Sequence, residues 1–390
     1  MPLQQLTLAD TDAVLASALA GLGDLEAVGV DVERSDWDRY YRAAALIQVG
    51  GNGRVVLVDP LALCSLEPLE TFLAARTTIL HACENDLEPL ATLGVRPPRV
   101  EDTALAAAVL GLPTGLEQLL TDLLGVELGG DKAAMQRADW EARPLTQGMQ
   151  AYAAGDVADL PALWADLQHR LDQADRTSWY REELAAVLAL PPVEARRAWT
   201  RTKGAGRLSR PARIRLRALW ETRERLGRET DTAPARIAGD KVLLDLATAP
   251  PTAVSELPRR GVRRQAVRRF GEDLLAAVDH AHAGADDPGD REPHKGRAPT
   301  EEDRALADRL RVLRAERARA LGIDAGVLCP GRTLMAAVVA DPKTPEALRD
   351  ALGLRSWQWQ QIGDAFCDAL ELHGAGRPAP VTTEGEPDDG

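Results

Sequence analysis

At 390 residues the chain exceeds one comfortable domain, and its 45% apolar content is ordinary for a globular protein of two or three domains. No run approaches the roughly 18 apolar residues of a membrane span, and the start MPLQQLTLADTD lacks a secretory leader, so the sequence reads as soluble and cytoplasmic with no membrane partner. Cys64, Cys83, Cys329 and Cys367 show no CxxC spacing, which argues against zinc and disulfide frameworks, and the net charge of -13 is spread unevenly: -16 over residues 1–190, +9 over 191–280 and -6 over 281–390.

The first block, residues 1–190, mixes strand and helix patterns. AVGVDVE, AALIQVG and RVVLVDP read as three short strands, with GNG as the turn between the last two. Helical ETFLAARTT follows, then the apolar TTILHA, then helical stretches ending in TQGMQAYAAGDVADLPALWADLQHRLDQA; Pro191-Pro192 closes the block. Residues 205–283 carry an all-helical pattern, 284–300 a polar linker rich in Gly and Pro, 301–373 a second helical pattern, and 374–390 an acidic tail of disordered composition. The two helical blocks read as one module in two copies. ALWETRERLGR, GDKVLLDLATAPPTAVSEL and RRQAVRRFGEDLLAAVDHA in the first correspond to LRVLRAERARALGI, GRTLMAAVVADPKTPEALRDALGL and WQWQQIGDAFCDAL in the second. A positive middle segment suits contact with nucleic acid or phosphate; a solvated, Arg-rich helical surface would give the same charge.

Three segments carry acids that the chain could bring together. In VGVDVE, Asp31 and Glu33 stand two apart on a strand and share a face, while Val28, Val30 and Val32 face the other layer. Adjacent carboxylates repel, and burying either uncompensated is costly, so the pair is either a solvated acidic edge or a divalent-cation site. In TILHACENDLEPL an apolar strand runs into a helix with Asp86 near its N-terminus, where Glu84, Asn85 and Asp86 could equally be capping and first-turn residues. In QAYAAGDVADL, Tyr152 and Asp156 are four apart and share a helix face, an arrangement also found as surface decoration. Their order favours convergence: DxE on a first strand, Asp after a later strand, and YxxxD on a helix closing the same block.

Those segments resemble the motifs of the DEDD 3′-5′ exonucleases in their tyrosine-containing subclass, and the chain over roughly residues 5–372 resembles the ribonuclease D family. The likeness extends to the YY-containing loop in DVERSDWDRYYRAAALIQVG, the histidine in ILHACENDLEPLATLGV, the Asp-Thr helix start of EDTALAAAVLG, and Lys132, Gln136 and Arg143 in the run into YxxxD. GDKVLLDLA resembles the HRDC module, the helicase and RNase D C-terminal domain, and the second helical block fits a weaker copy. Departures are Glu84-Asn85 before Asp86 and Gly155 before Asp156; neither removes an acid.

The resemblance implies an α/β ribonuclease H-like exonuclease domain, a mixed sheet flanked by helices, followed by two small all-α HRDC-like domains. It implies that Asp31, Glu33, Asp86 and Asp156 hold two divalent cations, Mg²⁺ or Mn²⁺, with Asp31 bridging them and Tyr152 orienting the attacking water. Two such ions suit phosphodiester hydrolysis and oxygen donors. With a pKa of about 10, a tyrosine is a poor general base. The implied substrate is RNA with a single-stranded 3′ end, transfer RNA precursors among them; the same chemistry on DNA, and a non-catalytic RNA-binding scaffold, are the alternatives. Arg207, Arg210, Arg213, Arg215 and Arg217, preceding Trp220, form a candidate basic stripe for backbone phosphates. No GxxxxGK[ST] occurs, so no nucleotide cofactor is expected.

Overall fold

A computed structural model of the chain describes residues 3–34, 38–129, 132–135, 137–192, 197–281 and 298–372. The expectations for Gln136, the Lys132 side chain, linker residues 284–297 and the tail from 374 lie outside that set.

Six strands form one mixed sheet: β1 (Gln5–Ala9), β2 (Ala27–Arg34), β3 (Ala44–Gly51), β4 (Arg54–Val58), β5 (Thr77–Leu80) and β6 (Val100–Asp102), in spatial order β1-β4-β3-β2-β5-β6. β2, β3 and β4 pair antiparallel; β1 joins β4, β5 joins β2 and β6 joins β5 in parallel. β3, AALIQVGG, is buried along its whole length, as a central strand covered on both faces must be. Asn52 and Gly53, with φ of 53° and 75°, make the tight turn from β3 to β4 that GNG announces.

The accompanying helices are α1 (Asp12–Ala20), α2 (Glu67–Ala74), α3 (Leu87–Thr92), α4 (Thr103–Leu110), α5 (Leu116–Leu119), α6 (Lys132–Met135), α7 (Gln147–Ala158), α8 (Leu160–Gln173) and α9 (Thr177–Leu188). α7 packs on β2, β3 and β4, and α8 on β2, β3 and β5. The described residues after α9 fold mainly as helices. One bundle holds α10 (Arg210–Thr230), α11 (Pro234–Ile237), α12 (Asp240–Thr248) and α13 (Arg264–His280) around Leu216, Leu243, Leu246, Phe270 and Leu274. The other holds α14 (Glu301–Leu321), α15 (Ala325–Leu328), α16 (Gly331–Val339), α17 (Pro345–Leu352) and α18 (Ser356–Ala369) around Leu310, Leu334, Leu348, Trp357 and Phe366. Their long first helices both have 21 residues, and α12 and α16 both have 9, as a repeated module requires. The fold is thus a mixed α/β domain followed by two all-α modules, as expected.

The described residues fall into two compact units, and the sheet domain and first bundle make up the larger. The smaller gathers the second bundle with Ala108–Leu112 and Asp175–Glu183. Within it Trp179 stacks on Trp357 with ring centroids 4.5 Å apart, Trp357 donates its indole N–H to Glu183 over 2.9 Å, and Arg176 donates to the carbonyls of Val109 and Leu321. Among the described residues no helix is long and apolar enough to cross a membrane.

Candidate active site

β2 alternates as its sequence requires. Val28, Val30 and Val32 are buried in one layer, and Gly29, Asp31 and Glu33 occupy the other face, under α7. Gly29 makes that approach possible: a Cβ there would lie 2.5 Å from the Val157 carbonyl oxygen and 2.9 Å from the Leu160 Cβ. With the helix this close to the strand, Asp156 reaches the DxE pair. One carboxylate oxygen from each of Asp31, Glu33 and Asp156 lies within 4.8 Å of the others. Tyr152, one turn before Asp156, hydrogen-bonds to its carboxylate, and the Trp140 ring lies 6.2 Å from the phenol ring, centroid to centroid.

α7 is itself fixed at its entry. The Thr146 hydroxyl caps it by accepting from the Met149 N–H, and Arg143, just before, grips buried Asp59 with two nitrogens at 2.5 and 2.8 Å and reaches the Ala45 carbonyl at 2.9 Å. Arg143 therefore ties α7 to the start of β3 and the end of β4.

Asp86 arrives from the other side of β2, after β5. Ala82, with φ of 61°, turns the chain into a single 3-10 turn over Cys83–Asn85, and Asp86 stands between that turn and α3. Asp86 is buried yet makes no capping bond with its side chain, so capping does not account for it. The turn is held by Asp102, whose carboxylate accepts from the N–H groups of Ala82 and Cys83 and also from Ala104 and Leu105 at the start of α4. Sequence reading took Asp102 only as a helix start; its pairing to residues 19 and 20 positions earlier has no local signal.

Electrostatics sets this cluster apart from an ordinary acidic surface. Burial pushes Asp31 up to about 6. Burial first, then the charges of Asp31 and Asp156, pushes Glu33 up to about 9. Asp86 lies outside the closest trio but is also raised, by burial and then by Asp31, with Arg34 opposing. Tyr152 is held above the usual phenol range by burial and by Asp156, Glu33 and Asp31. Another buried group points the same way: Gln48 pairs with Asp31 across the β2–β3 ladder and is fully buried, and neither polar atom of its side chain has a hydrogen-bond partner among the described residues. Crowded, desolvated carboxylates beside an unsatisfied amide fit hard divalent cations, which prefer oxygen ligands and remove the repulsion.

The five arginines of the expected stripe do not form one surface. Arg210, Arg213 and Arg217 follow the i, i+3, i+7 spacing of one α10 face; Arg207 precedes the helix, and Arg215 points elsewhere, donating to the Ala247 carbonyl at 2.6 Å. Arg217 pairs with Glu221 one turn on. A cleft of about 860 Å³ lies instead between the sheet domain and the first bundle, lined by Arg39, Arg42, Arg197, Arg201 and Trp220, with Glu84 of the Asp86 turn on its wall.

Comparison with known proteins agrees with this architecture. Residues 6–172 match the family model for a 3′-5′ exonuclease, and residues 213–278 and 303–370 each match that for the HRDC domain. Ribonuclease D of Acidiphilium cryptum is 32% identical over 94% of this chain and 93% of its own, and that of Pseudomonas paraeruginosa 31% identical over 88% and 92%. The crystal structure of Escherichia coli RNase D, an exoribonuclease involved in structured RNA processing, superposes with a TM-score of 0.75 at 25% identity, covering 95% of this chain and 99% of that one. An exonuclease domain with a converged acidic site, followed by two HRDC domains and matched along nearly its whole length, places this chain in the ribonuclease D family.

Proposed function

We propose that the chain is a metal-dependent 3′-5′ exoribonuclease that releases nucleoside 5′-monophosphates from RNA with a single-stranded 3′ end, in the cytoplasm, with transfer RNA precursors and other small structured RNAs as substrates. The observation that carries this is the meeting of Asp31, Glu33 and Asp156 beside Tyr152 in a ribonuclease D family chain.

Asp31, Glu33, Asp86 and Asp156 would hold the divalent cations, Mg²⁺ or Mn²⁺, with one carboxylate oxygen from each of Asp31, Glu33 and Asp156 already within 4.8 Å of the others. When bound, the cations acidify the attacking water and offset the charge that builds on the phosphate and the departing 3′ oxygen. A phenol with an ordinary pKa of about 10 is protonated at neutral pH, so Tyr152 orients the water by hydrogen bonding and does not remove its proton. Asp156 accepts the phenol hydrogen bond and so fixes the Tyr152 ring. The last phosphodiester sits against this cluster, and the upstream strand lies in the cleft of Arg197, Arg201 and Trp220, where guanidinium groups meet phosphates and the indole offers a stacking face. Arg207, Arg210, Arg213 and Arg217 extend the positive surface; Arg215 serves the fold through Ala247.

The direct test is product analysis. A 3′-labelled RNA should yield labelled nucleoside 5′-monophosphate at the earliest times with Mg²⁺ or Mn²⁺ and none with EDTA. Early internal fragments, or release that persists in EDTA, would contradict the reading; equal cutting of matching single-stranded DNA would move the substrate to DNA.

A further inference from the structure

We propose that Tyr40 and Arg42 are positioning residues through which the first HRDC domain holds the Asp86 turn, so that this domain is part of the frame of the active site. The inference rests on Asp86 being a metal ligand.

The loop that leaves β2 after the DxE pair is fastened to α10 at several points. One Asp231 carboxylate oxygen accepts from the N–H groups of both Tyr40 and Tyr41, at 3.1 Å each, and the Ala233 N–H donates to the Asp38 carbonyl at 2.8 Å. Asp231 holds φ of 43° at the end of α10, a conformation non-glycine residues seldom adopt. Tyr40 is 2% exposed, and its ring fills a notch at Gly227, where a Cβ would lie 2.5 Å from the ring. Its hydroxyl donates to Glu224 at 3.1 Å, and Glu224, itself buried, is bound by Arg223 and Arg197, the latter also lying over the Tyr40 ring. Buried carboxylate, paired guanidinium groups and phenol together make a socket with little freedom.

Two residues on from Tyr40, Arg42 crosses to the Asp86 turn. It donates to the Asn85 carbonyl at 3.4 Å and pairs with Glu88 at 3.5 Å, contacts that bracket Asp86 on both sides. Each is weak alone on a half-exposed side chain. Their direction comes from the anchored backbone at Tyr40. Asp86 otherwise sits between one 3-10 turn and a helix of six residues, elements too short to hold their own geometry. Asp102 secures the turn through Ala82 and Cys83, before Asp86; Arg42 secures it through Asn85 and Glu88.

The test uses the full chain and a readout taken without RNA. Free Mn²⁺ is followed by electron paramagnetic resonance during titration of wild type, Arg42→Ala, Gly227→Ala and Asp86→Asn, with circular dichroism to check folding, and kcat and KM are then measured on a single-stranded RNA. Arg42→Ala and Gly227→Ala should each bind Mn²⁺ about tenfold more weakly, with a matching fall in kcat. Arg42→Lys should recover part of the Mn²⁺ binding. Wild-type Mn²⁺ binding in both Arg42→Ala and Gly227→Ala, with Asp86→Asn impaired, would overturn the positioning role alone. Wild-type binding in Asp86→Asn would overturn the ligand assignment beneath it. Should Gly227→Ala not fold, Arg42→Ala decides.

Discussion

Glu33 is half-buried among other acids, at a cost in stability. Its ordinary pKa is 4.5, and in the folded, metal-free chain it is pushed up to about 9. The folded state thus binds this proton more tightly than the unfolded state. The resulting stability is fully present below pH 4.5 and is lost as pH rises towards and through about 9. Glu33→Gln cannot ionise and escapes that loss. In EDTA it should melt higher than wild type at pH 8, with the difference closing at pH 4, by thermal denaturation. Equal melting at both pH values would contradict the uncompensated burial of this carboxylate. The DxE spacing and its shared face were legible from strand geometry alone. The pairing of Gln48 with Asp31 was not, because register depends on how β2 and β3 meet and not on either sequence by itself.

Among the elements, the contact of α7 with β2 decides whether the acids converge. Gly29→Ala would force the backbone of α7 and the start of α8 away from the strand. It should destabilise the fold by about 1–3 kcal/mol, as overpacking does, and lower activity by more than the lost folded fraction explains. Denaturant unfolding beside initial rates checks this; an unchanged rate would mean that α7 need not sit so close. β2, β3, β4 and β5 were readable from alternation or apolar runs, and the β3–β4 turn from GNG. β1 and β6 were not singled out. QLTLA is partly exposed along most of its length, and VED is only three residues whose strand character comes from its parallel partner β5. Helical phase was the signal missed in the arginine stripe: Arg215 lies off the face shared by Arg210, Arg213 and Arg217 and is used to tie α10 to the end of α12.

Across the whole molecule, charge is separated: residues 1–190 carry -16 and residues 191–280 carry +9. On the proposed function the acidic cluster meets the scissile phosphate, and the basic segment attracts the strand behind it. Arg201→Glu should therefore weaken RNA binding and flatten its salt dependence by about one unit of log-log slope, while Mn²⁺ binding stays at the wild-type level. Filter binding across a salt series measures it, and an unchanged slope would remove Arg201 from the RNA path. The repeat of two helical modules was visible in the sequence because both copies keep the same order of long helix, short Gly-opened helix and closing amphipathic helix. Their setting was not visible: nothing local in the sequence says that Tyr40 enters α10 at Gly227, or that Trp179 stacks on Trp357. The most direct measurement is degradation of a 5′-labelled RNA by wild type and Asp31→Asn in Mg²⁺, in Mn²⁺ and in EDTA, with RNA affinity measured on both proteins. A ladder shortening from the 3′ end for wild type, abolished by EDTA and absent in Asp31→Asn although RNA affinity is retained, is the expected result. A ladder from Asp31→Asn at the wild-type rate would contradict the assignment of the acidic cluster as the active site.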